Sequence, residues 1–193
     1  MLKAVVIAAA CAGTVVMGVA QAREDDRQGS ENAELRAWDK KIDNAQRRFE
    51  VLDAFHGKAV LDRETQLVWE QSPSAQSFQW AVAVEVCNQL IVDNRLGWRL
   101  ATIQELATLV DPSAPGPTLP PGHPFDNVLS GPPETNFYWS FTTGNPINPD
   151  FAWGVSFSVD VASEPLTQST KSNFNGHVWC VRGVAGSGVP STQ

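Results

Sequence analysis

Two cysteines are the residues whose chemistry is easiest to define from this sequence. The chain of 193 residues contains three cysteines, and Cys11 lies in an apolar leader that we expect to be removed, which leaves Cys87 and Cys180. In an oxidising compartment, one remaining pair most simply forms a disulfide. The alternative is a metal site that adds His177 to the two thiolates, but no CxxC or HxxxH pair supplies further ligands. We therefore predict a disulfide between Cys87 and Cys180.

The sequence carries no motif typical of a catalytic site. GxSxG, HExxH, phosphate-loop and GxGxxG patterns are missing from it. The nearest approach is GVSFS at 154–158, which lacks the closing glycine and lies in a strand pattern, so we expect its serines to face solvent. His56, His123 and His177 each stand alone, and His123, set between prolines, is expected to be the most exposed. We predict no catalytic residue and no bound metal.

Aromatic side chains outside the helices and strands are the best candidates for ligand contact. The tryptophans that fall within helix or strand patterns are expected in the core: Trp69, Trp80, Trp98, Trp139, Trp153 and Trp179. Phe125, Phe151 and Phe174 fall in predicted loops, where a ring can stack on a sugar. The alternative is that these three rings anchor long loops to the body of the domain.

The charge balance argues against two classes of partner. The chain has 21 acidic and 14 basic residues, a formal net charge of -7. Proteins that bind nucleic acid or anionic lipid through charge are strongly basic, so neither partner is expected. Arg47, Arg48 and Lys58 are the only candidates for a basic patch that lie near one another in sequence, and we expect no strong patch from them.

The first 22 residues have the pattern of a secretory signal peptide. One lysine precedes an apolar run, and Ala20-Gln21-Ala22 stands before the first charged residues of the mature chain. A membrane anchor is the alternative, but the run from Ala4 to Ala20 is short for a span, and a lipoprotein site at Cys11 would leave a very short apolar region. We predict cleavage after Ala22 and export to the periplasm or the cell surface.

The segment 23–58 combines a polar tail with an amphipathic stripe. Residues 23–34 are polar and acidic, and apolar residues then recur at heptad spacing: Leu35, Trp38, Ile42, Ala45, Phe49 and Leu52. The spacing predicts a helix over 33–46 that packs on its own domain, followed by a strand. An oligomerising coiled-coil stalk is the alternative.

Local patterns then predict a hairpin and two helices. The runs 59–63 and 67–70 flank turn residues and predict a β-hairpin, followed by a loop over 71–77 whose serines could cap a helix. The next helix carries Trp80, Val84, Cys87 and Ile91 on one face, which directs the cysteine into the core. A capping box at 102–105 begins a second helix over 102–110.

A long proline-rich loop and three strands complete the predicted fold. Residues 111–135 contain 8 of the 13 prolines and cannot form a regular element. Strand patterns follow at 137–142, 152–159 and 178–182, and in the middle one Trp153, Val155, Phe157 and Val159 share a face, which is typical of a half-buried strand. Residues 184–193 are small and polar, and are expected to be disordered. The prediction is an α+β fold with two helices on a small antiparallel sheet.

An ordered series of short motifs runs through the second part of the chain: VLDRETQLVWE at 60–70, Trp80 with Cys87, GWRLAT at 97–102, Glu105-Leu106, Leu109-Val110-Asp111, Tyr138-Trp139-Ser140, Ala152-Trp153 and VWCVRG at 178–183. This series resembles the Lcl C-terminal domain family of bacteria, long described as a domain of unknown function. Gln66 stands where a hairpin glycine is common, and Ala101 where a proline commonly precedes the helix. The resemblance covers 59–183 and implies a C-type-lectin-like fold, a disulfide from helix to last strand, and a loop-rich binding face.

The resemblance also implies a function. The best-described relative is an adhesin domain that binds sulfated glycans, so glycan binding is the first expectation. Sugar-binding C-type lectins hold calcium through Glu-Pro-Asn or Gln-Pro-Asp and Trp-Asn-Asp motifs. Here Glu164-Pro165-Leu166 lacks the third ligand, and Asn148-Pro149-Asp150 is only a partial match. We therefore expect no cofactor, with calcium as the alternative.

Three function hypotheses follow. The first is an exported, non-enzymatic module that binds a glycan or another surface polymer through the 111–135 and 142–152 loops. The second is an envelope protein–protein module that uses the same face or the N-terminal stripe, in which case a homo-oligomer is expected. The third is an enzyme similar to the formylglycine-generating enzymes, which resemble this fold but need a pair of active-site cysteines.

Overall fold

A computed structural model describes residues 41–111, 113, 118–131, 135–144, 147–157 and 166–183. The predicted signal peptide 1–22, the polar tail 23–34 and the C-terminal tail 184–193 lie outside the described residues. Of the apolar stripe that suggested an oligomerising stalk, Leu35 and Trp38 also lie outside the described residues, whereas its other four members are described. None of the helices in the described part has the length and apolar character needed to cross a bilayer.

Three α-helices, one short 3-10 helix (Asp53–Phe55) and ten strands make up the described fold. The helices are α1 (Ala45–Arg48), α2 (Trp80–Gln89) and α3 (Ile103–Thr108). The strands are β1 (Phe49–Val51), β2 (Ala59–Asp62), β3 (Leu67–Glu70), β4 (Ser74–Phe78), β5 (Trp98–Leu100), β6 (Phe137–Thr143), β7 (Phe151–Ser156), β8 (Leu166–Thr170), β9 (Gly176–Val178) and β10 (Cys180–Arg182).

The strands form two five-stranded sheets rather than the single small sheet that the sequence predicted. The first has the order β1-β2-β3-β10-β5 and is antiparallel throughout. The second has the order β4-β9-β6-β7-β8, in which only β6 and β9 run parallel. The chain passes from the second sheet to the first at Trp179, between β9 and β10. The fold is therefore α+β with two mainly antiparallel sheets.

Interactions between residues close in sequence account for the elements that were predicted correctly. The hairpin of β2 and β3 is confirmed, and Gln66 takes a positive φ of 62° in its turn, a conformation that glycine adopts more easily. The capping box is also confirmed, because the Thr102 hydroxyl accepts from the Glu105 amide and the Glu105 carboxylate accepts from the Thr102 amide. The helix α3 that follows ends at Thr108, two residues earlier than predicted.

The predicted disulfide is confirmed and lies inside the core. Cys87 of α2 and Cys180 of β10 are bonded, with their Cα atoms 5.4 Å apart, and both residues are buried. Four of the predicted core tryptophans are buried as expected: Trp69, Trp98, Trp139 and Trp179. The bond ties the long helix to the last strand of the first sheet.

The prediction of a helix over 33–46 is wrong for the described residues. Residues 41–44 are not helical, and α1 begins only after Asn44, whose side chain caps the Arg47 amide. The helix lasts four residues because the chain turns into β1 at Phe49, which pairs with Asp62 of β2. The strand predicted after the helix is confirmed.

Two predictions on either side of α2 are also wrong. The segment expected as a loop contains β4, which pairs with β9 through an irregular register, and Gln79 begins α2 without a side-chain cap. Ile91 was expected on the buried face of the helix but is 60 % exposed. The reason is that α2 ends at Gln89 and the chain then forms a tight turn closed by the Val92–Arg95 bridge.

Strand β7 is buried on both faces, so the prediction of a half-buried strand is wrong. β7 lies inside the second sheet between β6 and β8, and Ser156 on its supposed solvent face is fully buried. Gly154 on that same face lies against the ring of Phe137, where a Cβ would overlap the ring. The alternation of small and large residues therefore reflects close packing on one face, not exposure to water.

Candidate functional site

An exposed group of two aromatic rings and one cation is the clearest candidate for a ligand site. The rings of Trp80 and Phe141 stack with an interplanar angle of 28° and centroids 6.1 Å apart. The Lys171 ammonium nitrogen lies 4.4 Å from the centroid of the Trp80 ring. Phe141 is 52 % exposed. We call Trp80, Phe141 and Lys171 the aromatic platform.

Backbone hydrogen bonds hold the aromatic platform in place. The Trp80 indole Nε1 donates to the Ser140 carbonyl at 2.8 Å, which fixes the first residue of α2 beside β6. The Trp80 amide donates to the Lys171 carbonyl at 3.2 Å. Trp80 begins α2, Phe141 lies within β6, and Lys171 directly follows β8. Such a site is held more rigidly than one built on a loop alone.

Gly144 and residues 147–151 form a rim beside the aromatic platform. The Lys171 ammonium donates to the Pro149 carbonyl at 2.6 Å, and its amide donates to the Asp150 carbonyl at 2.8 Å. The rim closes on itself because the Gly144 amide donates to the Phe151 carbonyl at 2.6 Å. This places the loop predicted to bind ligand next to the exposed rings.

The aromatic platform combines two recognition chemistries. A flat exposed ring binds the apolar face of a ligand, and an ammonium group binds anionic or hydroxyl oxygens at its edge. The Lys171 charge lies over an aromatic face, where the ring quadrupole favours a cation. The arrangement fits a ligand with one apolar face and a polar or anionic edge.

Among the three predicted ligand residues, Phe125 is a core residue. It is 5 % exposed, and its ring makes edge contacts with Phe49 at 5.1 Å and with Trp179 at 5.0 Å. Burial of the ring on both sides leaves no face for a sugar, so the expectation of stacking at Phe125 is wrong. Its role is to anchor the proline-rich segment to the body of the domain.

Phe174 and Phe151 are both half-buried, and they differ in position. The Phe174 ring makes edge contacts with Phe137 at 5.3 Å and Trp139 at 5.8 Å, which is the contact expected of a loop anchor. Phe151 begins β7 and belongs to the rim of the aromatic platform through its bonds to Gly144 and Asn148. Of the three predicted residues, Phe151 alone lies beside the candidate site.

Phe141 was missed by the sequence reasoning. By strand alternation it shares a face with Phe137 and Trp139, both of which are buried, so the pattern gives no reason to expect exposure. Trp80 was assigned to the core and is only partly buried. No signal in the sequence places the two rings together, because they are 61 positions apart in the chain.

No strong basic patch was expected at Arg47, Arg48 and Lys58, and Arg48 is committed to contacts within the fold. Arg48 is 3 % exposed, and its guanidinium donates to the two carboxylate oxygens of Asp62 at 3.0 and 2.7 Å. It also donates to the Thr108 carbonyl at 2.9 Å. These bonds occupy the charge of Arg48 within the fold, so it is not available to an anionic ligand.

The histidines also differ from expectation. His123 is half-buried against Phe125, and this burial lowers its pKa although nearby Asp126 opposes the shift. His56 is the exposed one, and its Nδ1 lies 2.7 Å from Asp93 Oδ1. His177 is buried, with its ring nitrogens near the Gln76 and Thr135 carbonyls.

Cavities elsewhere in the described residues do not bring together side chains suited to one kind of ligand. One cavity of about 550 Å³ is lined by side chains of both charges, including Lys41, Glu64 and Asp111. A smaller one of about 280 Å³ contains Glu70, whose pKa burial raises to about 7 although a backbone hydrogen bond with Cys180 opposes the shift. No cluster of three or more metal-ligating side chains occurs in the ranges that the structure describes.

Comparison with known proteins places the chain in a family. A search of curated proteins found no match, and a search of solved structures found none either. The family model of the Lcl C-terminal domain matches residues 58–182. This range agrees with the segment 59–183 that carries the sequence resemblance and includes Trp80, Phe141, Lys171 and both bonded cysteines. The chain belongs to the Lcl C-terminal domain family.

Proposed function

We propose that this chain is an exported, non-enzymatic binding module for a glycan or another surface polymer, and that the aromatic platform is its contact site. The observation that carries the proposal is the half-exposed Phe141 ring stacked on Trp80 with the Lys171 ammonium group beside it. The pyranose ring of a sugar has an apolar face of C–H groups and an edge of oxygens. Those two surfaces match the ring and the cation of the platform.

A C-type-lectin-like architecture is part of the same proposal. Two mainly antiparallel sheets, a disulfide from the long helix to the last strand, and long irregular segments are consistent with it. Export is supported by the leader pattern and by the disulfide, since such bonds persist in oxidising compartments. The same disulfide argues against an enzyme that needs Cys87 and Cys180 as free thiols.

A glycan array tests the proposal directly. The oxidised chain from residue 23 is screened against neutral, carboxylated and sulfated glycans, with calcium and with a chelator. We expect saturable binding that Phe141→Ala lowers by roughly tenfold or more, because the exposed stacking surface is removed. Chelator insensitivity is expected, since no metal ligand set is part of the proposed site.

Leu96→Ala is the matched control. Leu96 is an exposed apolar residue at 60 %, and it lies in the turn after α2 rather than on the aromatic platform. The control variant is expected to bind like the unmodified chain. Absence of binding across all glycans, or equal binding by the Phe141→Ala variant, would contradict the proposal.

A second candidate function is an envelope protein–protein module, and a different surface favours it. Ile91 and Leu96 flank the Val92–Arg95 bridge and are each 60 % exposed, whereas Val92 is buried. In an antiparallel pairing the residues next to the bridge oppose one another, so the two apolar side chains form one exposed pair. Cross-linking to envelope proteins that Leu96→Asp abolishes, together with a blank glycan array, would support this candidate over the first.

A further inference from the structure

Strand β6 contains a bulge at the exposed ring of the aromatic platform. It pairs with β7 at Trp139 opposite Gly154, and again at Thr143 opposite Ala152. Residues 140–142 of β6 therefore face a single residue of β7, where a regular antiparallel ladder has one residue on each side. Bulges redirect side chains and are common beside functional sites. This bulge is thus a candidate for the feature that sets the direction of the exposed ring.

The Ser140 hydroxyl bridges the two strands inside the bulge. It donates to the Trp153 carbonyl at 2.7 Å and accepts from the Thr142 amide at 3.2 Å. One step along the same ladder, the Gly144 amide donates directly to the Phe151 carbonyl, so the next regular bond would join the Thr142 amide to the Trp153 carbonyl. The hydroxyl stands between this donor and this acceptor, and it keeps both of them satisfied within a buried site.

Two further bonds hold the bulge against segments outside the strand pair. The Phe141 amide donates to the Ala101 carbonyl at 2.7 Å, and the Ser140 carbonyl accepts from the Trp80 indole at 2.8 Å. The backbone on both sides of the Cα atom of Ser140 is therefore tied, to β7 through the hydroxyl and to α2 through the carbonyl. In this position the Phe141 ring stacks on Trp80 and remains 52 % exposed.

We propose that Ser140 is a positioning residue of the binding site. Its hydroxyl keeps β6 displaced from β7, and this displacement holds the Ser140 carbonyl against the Trp80 indole and the Phe141 ring against the Trp80 ring. Ser140 is fully buried, so it acts through these two rings and does not touch ligand itself. The inference rests on the proposed function, because it concerns how the same site is held.

Ser140→Ala tests the positioning without any ligand. Without the hydroxyl, the Thr142 amide and the Trp153 carbonyl must pair directly, which draws β6 towards β7 and away from Trp80. The Trp80 indole N–H should then exchange with solvent roughly fivefold faster or more, because its bond to the Ser140 carbonyl is lost. Hydrogen exchange of the indole signals, followed by NMR on the oxidised chain from residue 23, measures this rate. Trp80→Phe identifies the signal.

The same variant should bind the glycan found on the array more weakly. Its affinity should fall by roughly fivefold or more, although Phe141 and Lys171 are unchanged, because the two platform rings are no longer held together. Ser140→Thr keeps the hydroxyl and should restore both the slow exchange and the affinity. A purely structural role would lower the free energy of unfolding but leave the exchange rate and the affinity of the folded chain unchanged.

Ser156→Ala is the matched control. Ser156 lies in the neighbouring strand β7 and is as fully buried as Ser140, but its hydroxyl has no hydrogen-bond partner in the part of the chain that the structure describes. Its removal should change neither the Trp80 exchange rate nor the affinity. If a Ser140 variant does not fold, Thr142→Val removes another hydroxyl of the bulge, which accepts from the Ile103 amide at 3.0 Å. It should speed the Trp80 exchange by a smaller factor.

The outcomes separate this inference from the proposed function. A Trp80 exchange rate that Ser140→Ala leaves unchanged would overturn the positioning role, even if the unmodified chain binds a glycan and Phe141→Ala weakens that binding. An unchanged rate in Thr142→Val, where only that variant folds, would overturn it as well. Faster exchange together with a blank glycan array would support the positioning of Trp80 by Ser140 and would contradict the proposed function.

Discussion

Arg48 and Lys171 are two cations that lie over aromatic rings, one in each half of the molecule. The Arg48 guanidinium carbon is 4.8 Å from the centroid of Phe49, beside the first sheet, and the Lys171 nitrogen is 4.4 Å from that of Trp80, beside the second. Arg48 is buried and bonded to both carboxylate oxygens of Asp62. Lys171 is partly exposed, and the one acceptor described for its ammonium group is the Pro149 carbonyl.

The two cations differ because Arg48 is buried and Lys171 is partly exposed to water. A buried charge must be fully paired because it has lost its hydration, and removal of its partner is costly. An exposed charge keeps its water and can exchange that water for a ligand at little cost. Arg48 therefore has a structural role beside the first sheet, whereas Lys171 beside the second sheet keeps contact with water.

The disulfide joins these two regions, and its removal should have the largest effect on stability. Cys87 lies in α2, the helix that begins at Trp80, and Cys180 lies in the first sheet, 93 positions later. Replacement of both cysteines by alanine should lower the free energy of unfolding by about 4 to 5 kcal/mol, since the bond closes a long loop in the unfolded chain. Urea unfolding with and without reductant measures this change. A loss no larger than that of a surface substitution would contradict the prediction.

Asp62→Ala should have the next largest effect on stability. It leaves the buried Arg48 with only the Glu64 carboxylate, whose Oε2 lies 3.7 Å from Arg48 Nε, and should lower the free energy of unfolding by about 3 kcal/mol. Arg63→Ala is the matched control, because the Arg63–Glu50 pair is exposed and its loss should cost less than about 1 kcal/mol. Similar losses in the two variants, measured by urea unfolding, would remove the distinction between the buried and the exposed charges.

Glu70 has a buried carboxyl group whose titration should make the stability of the chain depend on pH. Burial raises the pKa of its carboxyl group from 4.5 to about 7, so the folded chain binds this proton more tightly than the unfolded chain. The stability contributed by the protonated group is fully present below about pH 4.5 and is lost as the pH rises to about 7 and above. The loss amounts to at most roughly 3 kcal/mol.

Glu70→Gln isolates this contribution. The amide does not titrate, so the variant should lack the part of the pH dependence that the wild-type chain shows between about pH 5 and about pH 8. Urea unfolding of both chains at several pH values gives the difference. Parallel pH profiles for the two chains would show that Glu70 does not titrate in this range.

Lys171→Ala should have the smallest effect on stability and the clearest effect on ligand. Loss of an exposed cation from the Trp80 ring should change the free energy of unfolding by less than about 1 kcal/mol. Affinity for the glycan found on the array should fall by roughly fivefold. Lys171→Arg keeps the cation and is expected to retain most of the affinity. A large loss of stability without a change in affinity would place Lys171 with Arg48 as a structural cation.

The elements that could be predicted depend on neighbours in the sequence. The β2–β3 hairpin needs two apolar runs and a turn, and the start of α3 needs only Thr102 and Glu105 three residues apart. The disulfide was predictable because the segment after the expected leader contains only two cysteines. In each case the deciding interaction is local, or it has a single candidate partner.

The elements that could not be predicted depend on distant partners. Strand β4 forms because β9, about 100 positions later, offers it backbone hydrogen bonds. Strand β7 is buried on the face that carries Gly154 because the ring of Phe137 packs directly against that glycine. Phe125 and Phe141 are both aromatic residues, and the sequence suggested the wrong one as exposed. Whether a ring is covered depends on which other segments pack over it, and local patterns carry no information on this.

The sequence by itself determined the α+β class, the disulfide and the family, because motif order and cysteine number can be read without any knowledge of packing. Only the tertiary structure decided that Arg48 is buried and that Trp80 meets Phe141 and Lys171. Each of these depends on contacts between residues far apart in the chain. Folding sets those contacts through the burial of the whole apolar surface, which no single segment encodes.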